Sequence, residues 1–455
     1  MAEQFSGADV AQLRLLASAM SSASNRLHSQ LAGFNAGVSG TPWPGPDAER
    51  FRHDWKTSHS RSMLAAAAFL QQAAKDLVRN ADEQDTASSA GYGPGSGGTR
   101  TAAGLPPRAP TPADVAGKSA GDVRAWWLAL SARQRQEFLH DYPLHAGNTN
   151  GIPFADRIEA NKANAQNRIG WLRENDPEPE LDLFLVALDA NYPGRFAAEH
   201  EQWETRQAGA AYLQKAVDGK IKLVAYDPER SSIVEMIGDY GADKTAVVTY
   251  VPGTRTNEQS FYGGGPQSVA QWLVGSDPSQ GTVALVYKGT EFPDGPFAEA
   301  FFDEAKSDEF VAGTAPALRD FQAAVELEKP AGAQTVAVGH SWGLRNVTGS
   351  ETAGAHYDKV IALSGAAMPP GWTADPDTQY SSYTYPDILL TAELSGVVGD
   401  NYPMKEPAFE KHVYAPPGGN TWQEAYSVDN HSLIATTDSF NLPALDDIAK
   451  EVYAR

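Results

Sequence analysis

Apolar residues recur every three or four positions near the start of the chain: Leu13, Leu16, Met20, Ala23, Leu27, Leu31 and Phe34. That spacing lays a continuous apolar stripe along one face of a helix. Gly40-Thr41-Pro42-Trp43-Pro44-Gly45-Pro46 ends it. A second helix is predicted from about Asp47, a carboxylate favoured near a helix N-terminus. Its stripe runs through Phe51, Trp55, Ser58, Ser62, Ala66, Phe69, Ala73 and Leu77. Residues 1–88 therefore read as an αα-hairpin. Such a hairpin cannot cover both of its stripes alone. It needs a partner hairpin or a second copy of itself.

The pattern lapses over 89–112, where Gly91 to Gly98 and then Pro106, Pro107 and Pro110 read as a linker, flexible at first and stiffer at its end. From 113 the helical period returns in Val123, Trp126, Trp127 and Leu130, with the two tryptophans read as core. Further helices are predicted over about 155–172 and 194–217, making 113–218 a helical lead-in. His200-Glu201 has no second histidine four residues on, so a zinc site is not expected there. Beyond it the period shifts. Ile221–Tyr226 and Ile233–Ile237 flank Asp227-Pro228-Glu229-Arg230 as a hairpin. Short apolar runs then alternate with helical stretches: Ala246–Val251, Val283–Tyr287, Thr335–Val338, Val360–Leu363, Ile388–Thr391 and His412–Tyr414. Uninterrupted apolar runs are the pattern of parallel strands buried on both faces. An antiparallel pair leading into alternating strand and helix predicts an α/β-hydrolase fold over 113–455, a mostly parallel sheet flanked by helices and preceded by the all-α hairpin.

One turn in this framework carries chemistry. Gly339-His340-Ser341-Trp342-Gly343 follows the apolar run Thr335–Val338 and precedes a helical segment. A serine on a sharp strand-to-helix turn projects its Oγ clear of the backbone, which is the setting of a nucleophile elbow. The same pattern occurs at Gly117-Lys118-Ser119-Ala120-Gly121, but no strand precedes it. Gly93 to Gly98 fits a dinucleotide fingerprint only in letters, since it lies in the linker. Serine needs a base, and the base needs an orienting acid. The fold's chain order is Ser, acid, His, which assigns His431 as base. His412, inside the last predicted strand, is read as structural. The acid is expected after the run Ile388–Thr391, where Glu393 and Asp400 both qualify and Asp400 is slightly preferred. Developing negative charge on a substrate oxygen needs donors already in place. The N–H of Trp342 is one, and Gly253 or Thr254 in the loop Val251-Pro252-Gly253-Thr254-Arg255 supplies the other. Arg255 is expected to be exposed.

Composition narrows the alternatives. The net charge of −21 argues against nucleic acid or an anionic membrane as a bulk electrostatic partner. The chain has no cysteine, so neither disulfides nor thiolate chemistry enter. The N-terminus shows no basic segment followed by an apolar one, so no ordinary signal peptide is read. No cofactor and no metal site are expected.

Two resemblances add to this reading. Trp43-Pro44-Gly45 at the turn, with Ala48-Glu49-Arg50-Phe51 and Trp55 on the second helix, resembles the WXG-type helical hairpins of type VII secretion. That resemblance implies a WXG-type partner or self-association through residues 1–88, contact with the secretion machinery, and release without a signal peptide. Cytoplasmic residence is the alternative. The stretch Leu77–Asp85, where such families often carry a tyrosine–acid export signal, contains no tyrosine. The region 113–440 resembles an actinobacterial α/β-hydrolase family regarded as esterase- or lipase-like. The shared residues are Val123-Arg124-Ala125-Trp126-Trp127, Asn150-Gly151-Ile152-Pro153, Arg157, Ala160-Asn161, Val251-Pro252-Gly253-Thr254, the Ser341 turn, Leu363-Ser364-Gly365 and His431-Ser432. In that family the acid usually appears as Gly-Asp. Gly399-Asp400 matches in letters but stands several residues late, and Trp342 replaces the usual tyrosine. The expectation is a serine hydrolase cleaving a small-molecule or lipid carboxylic ester through an acyl-enzyme. A type VII-exported effector with lipid-hydrolase cargo and a decayed hydrolase fold acting as a binding protein are the alternatives.

Overall fold

The computed structural model describes residues 109–175, 195–294, 307–387, 401–417 and 428–454, Leu390, and four isolated positions before residue 80. The chain divides into two units between Leu105 and Pro106. Apart from those four positions, the hairpin and linker readings over residues 1–108 lie outside the described residues.

In the second unit the helices are α1 (Ala120–Ala129), α2 (Ala132–Asp141), α3 (Pro143–Asn148), α4 (Phe154–Asn175), α5 (Arg195–Val217), α6 (Glu258–Tyr262), α7 (Ser268–Gly275), α8 (Asp308–Glu328), α9 (Trp342–Thr352), α10 (Val428–Leu433) and α11 (Leu442–Tyr453). The strands are β1 (Lys222–Asp227), β2 (Ser232–Ile237), β3 (Ala246–Val251), β4 (Thr282–Lys288), β5 (Gln334–His340), β6 (Lys359–Leu363), β7 (Gln379–Thr384) and β8 (Phe409–Val413). They form one sheet in the order β1-β2-β4-β3-β5-β6-β7-β8. β1 and β2 pair antiparallel, as do β2 and β4. From β4 to β8 every pairing is parallel. This is the α/β-hydrolase fold.

Successive residues of a strand face opposite sides of the sheet, and the core divides accordingly. Val248, Tyr250, Val336, Val338, Ile361 and Leu363 join α4, α5, α7 and α11 on one side. Val247, Leu285, Ala337, Val360 and Ala362 join α8 and α9 on the other. Both faces are dry, so both residue sets are apolar. That is why the strands read as unbroken hydrophobic runs.

Polar residues of the lead-in motifs tie its helices to one another, to β1 and to α8. Trp127 is fully buried with Phe138 and Ile152 in a separate small core, and its indole N–H donates to Asp156 Oδ2 (2.8 Å). Arg157, buried, donates to Gly147 O (3.2 Å) and Asn150 Oδ1 (3.0 Å). Asn161 Nδ2 donates to Gly147 O and to Leu223 O of β1, both at 3.0 Å. Arg124 donates to Gly151 O (2.7 Å) and pairs with Glu328 of α8. Within this set Asn161 joins the lead-in to β1, while Arg157 and Asn150 brace the lead-in itself.

The seventh strand departs from the sequence expectation. Leu390, the one described residue of the run Ile388–Thr391, is helical. The strand in this place of the sheet is the polar segment Gln379-Tyr380-Ser381-Ser382-Tyr383-Thr384. Hydroxyl groups make this segment look like a loop, yet five of its six residues are buried. Its buried hydroxyls find partners. Ser381 Oγ and Tyr383 OH donate to the two oxygens of Glu451 (2.6 and 2.7 Å), Tyr380 OH donates to Glu351 (2.7 Å), and Thr384 Oγ1 donates to Tyr385 O (3.0 Å). A polar strand is stable in a core when its hydrogen bonds are made.

Candidate active site

β5 ends at His340, and α9 begins at Trp342. Ser341 between them has φ 52° and ψ −122°. A non-glycine residue held there costs on the order of 1–3 kcal/mol and persists only where its surroundings enforce it. The surroundings do so from two sides. Ser341 N–H donates to Leu363 O of β6, and Ser341 O accepts from Ala366 N–H, both at 3.0 Å. Two residues on, α9 runs against β3: a Cβ on Gly343 would stand 2.1 Å from Val251 O, so only glycine fits. The turn is thus pinned between the ends of β3 and β6.

Ser341 Oγ lies 2.8 Å from His431 Nε2. His431 sits in the short helix α10, and its Nδ1 lies 2.9 Å from Asp387 Oδ2. Asp387 is 1% exposed, and Leu390 N–H already donates to its other oxygen, Oδ1 (2.6 Å). In the tautomer with the proton on Nδ1, His431 donates to Asp387 and Nε2 accepts from the Ser341 hydroxyl. Asn430, next to His431, donates to Pro386 O (3.0 Å), tying the imidazole's helix to the carboxylate's loop.

The structure brings Ser341 and His431 together and places beside them an acid that the sequence pattern did not single out. Glu393 and Asp400 lie outside the described residues, and the Nδ1 edge of His431 is taken by Asp387. The difference follows from the strand. With β7 ending at Thr384, the loop after it begins at Tyr385, and Asp387 is its third residue. Taking Ile388–Thr391 as the strand places that loop several residues too late. The signal that could have found it is Pro386-Asp387 directly after an alternating Tyr-Ser-Ser-Tyr-Thr segment.

Trp342 is the first residue of α9, so its backbone N–H precedes the helix's own hydrogen-bond ladder and has no intrahelical acceptor. Its side chain is fully buried, packed against Phe292 (4.9 Å between ring centres) and Phe310 (5.7 Å). Gly253 lies against the serine: a Cβ there would stand 3.0 Å from Ser341 Cβ. Thr254 is partly buried next to it and Arg255 is exposed. Arg255 N–H donates to Pro293 O (2.6 Å), which fixes the end of this loop. The two expected donor segments therefore both adjoin Ser341. Among the described residues no cluster of His, Cys, Asp and Glu has the form of a metal site.

The fold and this chain of contacts define the class, a chain of the α/β-hydrolase fold with a Ser–His–Asp arrangement at its elbow. No family model matches the chain. Two curated relatives, both uncharacterized proteins from strains of Mycobacterium tuberculosis, are 24% identical over 282 residues, covering 57% of this chain and 41% of theirs. The chain thus matches less than half the length of those relatives. Solved structures similar to it include a dienelactone hydrolase-like promiscuous phosphotriesterase from metagenomic libraries (14% identity, TM-score 0.33, covering 51% of this chain and 98% of that one). Another is esterase 2 of Thermogutta terrifontis, phosphorylated by paraoxon (11% identity, TM-score 0.31, covering 51% and 91%).

Proposed function

We propose that the protein is a serine hydrolase that cleaves carboxylic esters through an acyl-enzyme. The observation that carries this reading is the unbroken contact chain Ser341 Oγ–His431 Nε2 and His431 Nδ1–Asp387 Oδ2, at 2.8 and 2.9 Å, on a serine held in a strained turn. His431 Nε2 takes the Ser341 hydroxyl proton as Oγ attacks the ester carbonyl carbon. The carbonyl π electrons move to oxygen, and the N–H groups of Trp342 and of Gly253 or Thr254 receive that charge. As the tetrahedral species collapses, the C–O bond to the alcohol breaks and the alcohol leaves with the proton from His431 Nε2. Water then repeats the sequence on the acyl-enzyme, giving the carboxylic acid and free Ser341. Asp387 keeps the imidazole in the tautomer that can accept, and stabilises the imidazolium that forms. The test is hydrolysis of nitrophenyl esters of increasing acyl length by the full chain. Turnover that Ser341→Ala abolishes supports the reading, and turnover that survives in Ser341→Ala contradicts it.

A further inference from the structure

His340, the residue before the nucleophile, is not needed by the reaction scheme, yet its ring is built into the site. Its Nε2 lies 3.2 Å from the backbone carbonyl oxygen of His431, ninety-one residues away in sequence. The two imidazole rings are 5.4 Å apart, tilted by 39°. The opposite edge of the ring faces the loop after β3: a Cβ on Gly253 would stand 3.2 Å from His340 Nδ1. One side chain thus spans from the expected oxyanion segment to the base.

The carbonyl it meets has no helical partner of its own. In a continuing helix, His431 O would accept from Ala435 N–H. Here α10 stops at Leu433, and Ala435 N–H turns back to Ser432 O (3.1 Å). A donor from elsewhere must satisfy His431 O, and His340 Nε2–H does so. The donor is also uncharged. Burial, with the neighbouring His431 acting in the same sense, pushes the pKa of His340 down to about 3. This matters because His431 becomes an imidazolium as Ser341 loses its proton. A lysine or arginine in this place could also donate to the carbonyl, but it would set a fixed positive charge against the one that forms.

We propose that His340 is a positioning residue: by donating Nε2–H to the His431 carbonyl it holds the base in register with Ser341 Oγ. The inference rests on the serine hydrolase proposal. Backbone misplacement of a catalytic group by about 1 Å can lower a rate by about a hundredfold, so the loss of this tether should be visible in the chemistry of Ser341.

The experiment measures the second-order rate of covalent labelling by a fluorophosphonate in the full chain and in His340→Gln, His340→Asn and His340→Leu, with thermal unfolding midpoints alongside. Glutamine places an amide N–H at nearly the reach of histidine Nε2; asparagine is one methylene short; leucine has no donor. The expected result is labelling within about threefold of wild type for glutamine and about tenfold or more below it for asparagine and leucine, at comparable unfolding midpoints for glutamine and asparagine. If leucine does not fold, the glutamine and asparagine pair decides. Asparagine and glutamine labelling alike, at or near the wild-type rate, would overturn the positioning role while leaving the serine hydrolase intact. A wild-type chain that does not label at all would instead remove the hydrolase reading, and this inference with it.

Discussion

At the scale of the residue, the site depends on which carboxylate meets His431. The geometry assigns Asp387, with one oxygen on His431 Nδ1 and the other on Leu390 N–H. Asp387→Asn should lower kcat by roughly a thousand- to ten-thousandfold, because an amide can hold the imidazole in the tautomer that cannot accept from serine. Asp400→Asn and Glu393→Gln should stay within a few-fold of wild type in the same ester assay. A large loss in either of these, with Asp387→Asn still active, would return the role to the loop further on. The pairing of Ser341 with His431 was legible in the sequence and the contact with Asp387 was not, for a definite reason. Ser341 and His431 are marked by local signals, a glycine-flanked turn after an apolar strand and the last histidine in chain order. Asp387 is marked only by its distance from the end of β7. That strand is buried through hydroxyl groups whose partners, Glu351 and Glu451, lie about 30 and 70 residues away. Nothing local in Gln379–Thr384 announces those partners.

At the scale of the element, the helix that carries Ser341 at its start carries a titrating group at its end. Glu351 of α9 accepts from Trp372 Nε1–H (2.8 Å) and Tyr380 OH (2.7 Å). Burial pushes its pKa up to about 7 against an ordinary 4.5, and the two donors offset part of that rise. Between these values the folded chain keeps a proton that the unfolded chain has released. Stability therefore falls as pH rises from about 4.5 to 7, by roughly 3 kcal/mol from this group at 1.36 kcal/mol per pKa unit. Below that window the cost is absent, and above it the cost is fully present. Denaturant unfolding of wild type and Glu351→Gln at pH 5 and pH 8 checks this. The variant should lose less stability than wild type between the two pH values. Equal losses would show that Glu351 does not titrate in that range. The same scale explains what the hydrophobic pattern predicted well. The hairpin β1–β2 and the strands β3 to β6 are buried on both faces by apolar residues, so period and burial coincide. The lead-in helices α4 and α5 follow their predicted spans closely, Phe154–Asn175 and Arg195–Val217.

At the scale of the whole molecule, the sheet order, the elbow and the Ser–Asp–His chain order agree with one another. Except at β7, local pattern and topology give the same answer, which is the mark of a sequence that specifies one fold. The motif residues of the lead-in hold structure rather than chemistry: Asn161 fastens α4 to β1, Arg157 ties α4 to Gly147 and Asn150 within the lead-in, and Arg124 ties α1 to α8. No helix among the described residues is long and apolar enough to cross a membrane. For residues 1–88 we propose the export role that the Trp43-Pro44-Gly45 hairpin pattern suggests. Expressed in an actinobacterial host with an active type VII system, the full chain should appear in the culture medium, and a chain lacking residues 1–88 should stay with the cells. Equal distribution of the two would reject that role without touching the hydrolase.

The central claim is that Ser341 is a nucleophile activated by His431 and Asp387. The most direct measurement is mass spectrometry of the full chain after reaction with a fluorophosphonate, with the adduct mapped to a residue. The account predicts a single phosphonyl adduct on Ser341, absent in Ser341→Ala and formed much more slowly in Asp387→Asn. No adduct under conditions that fully label an esterase control, or an adduct on another serine that persists in Ser341→Ala, would contradict it.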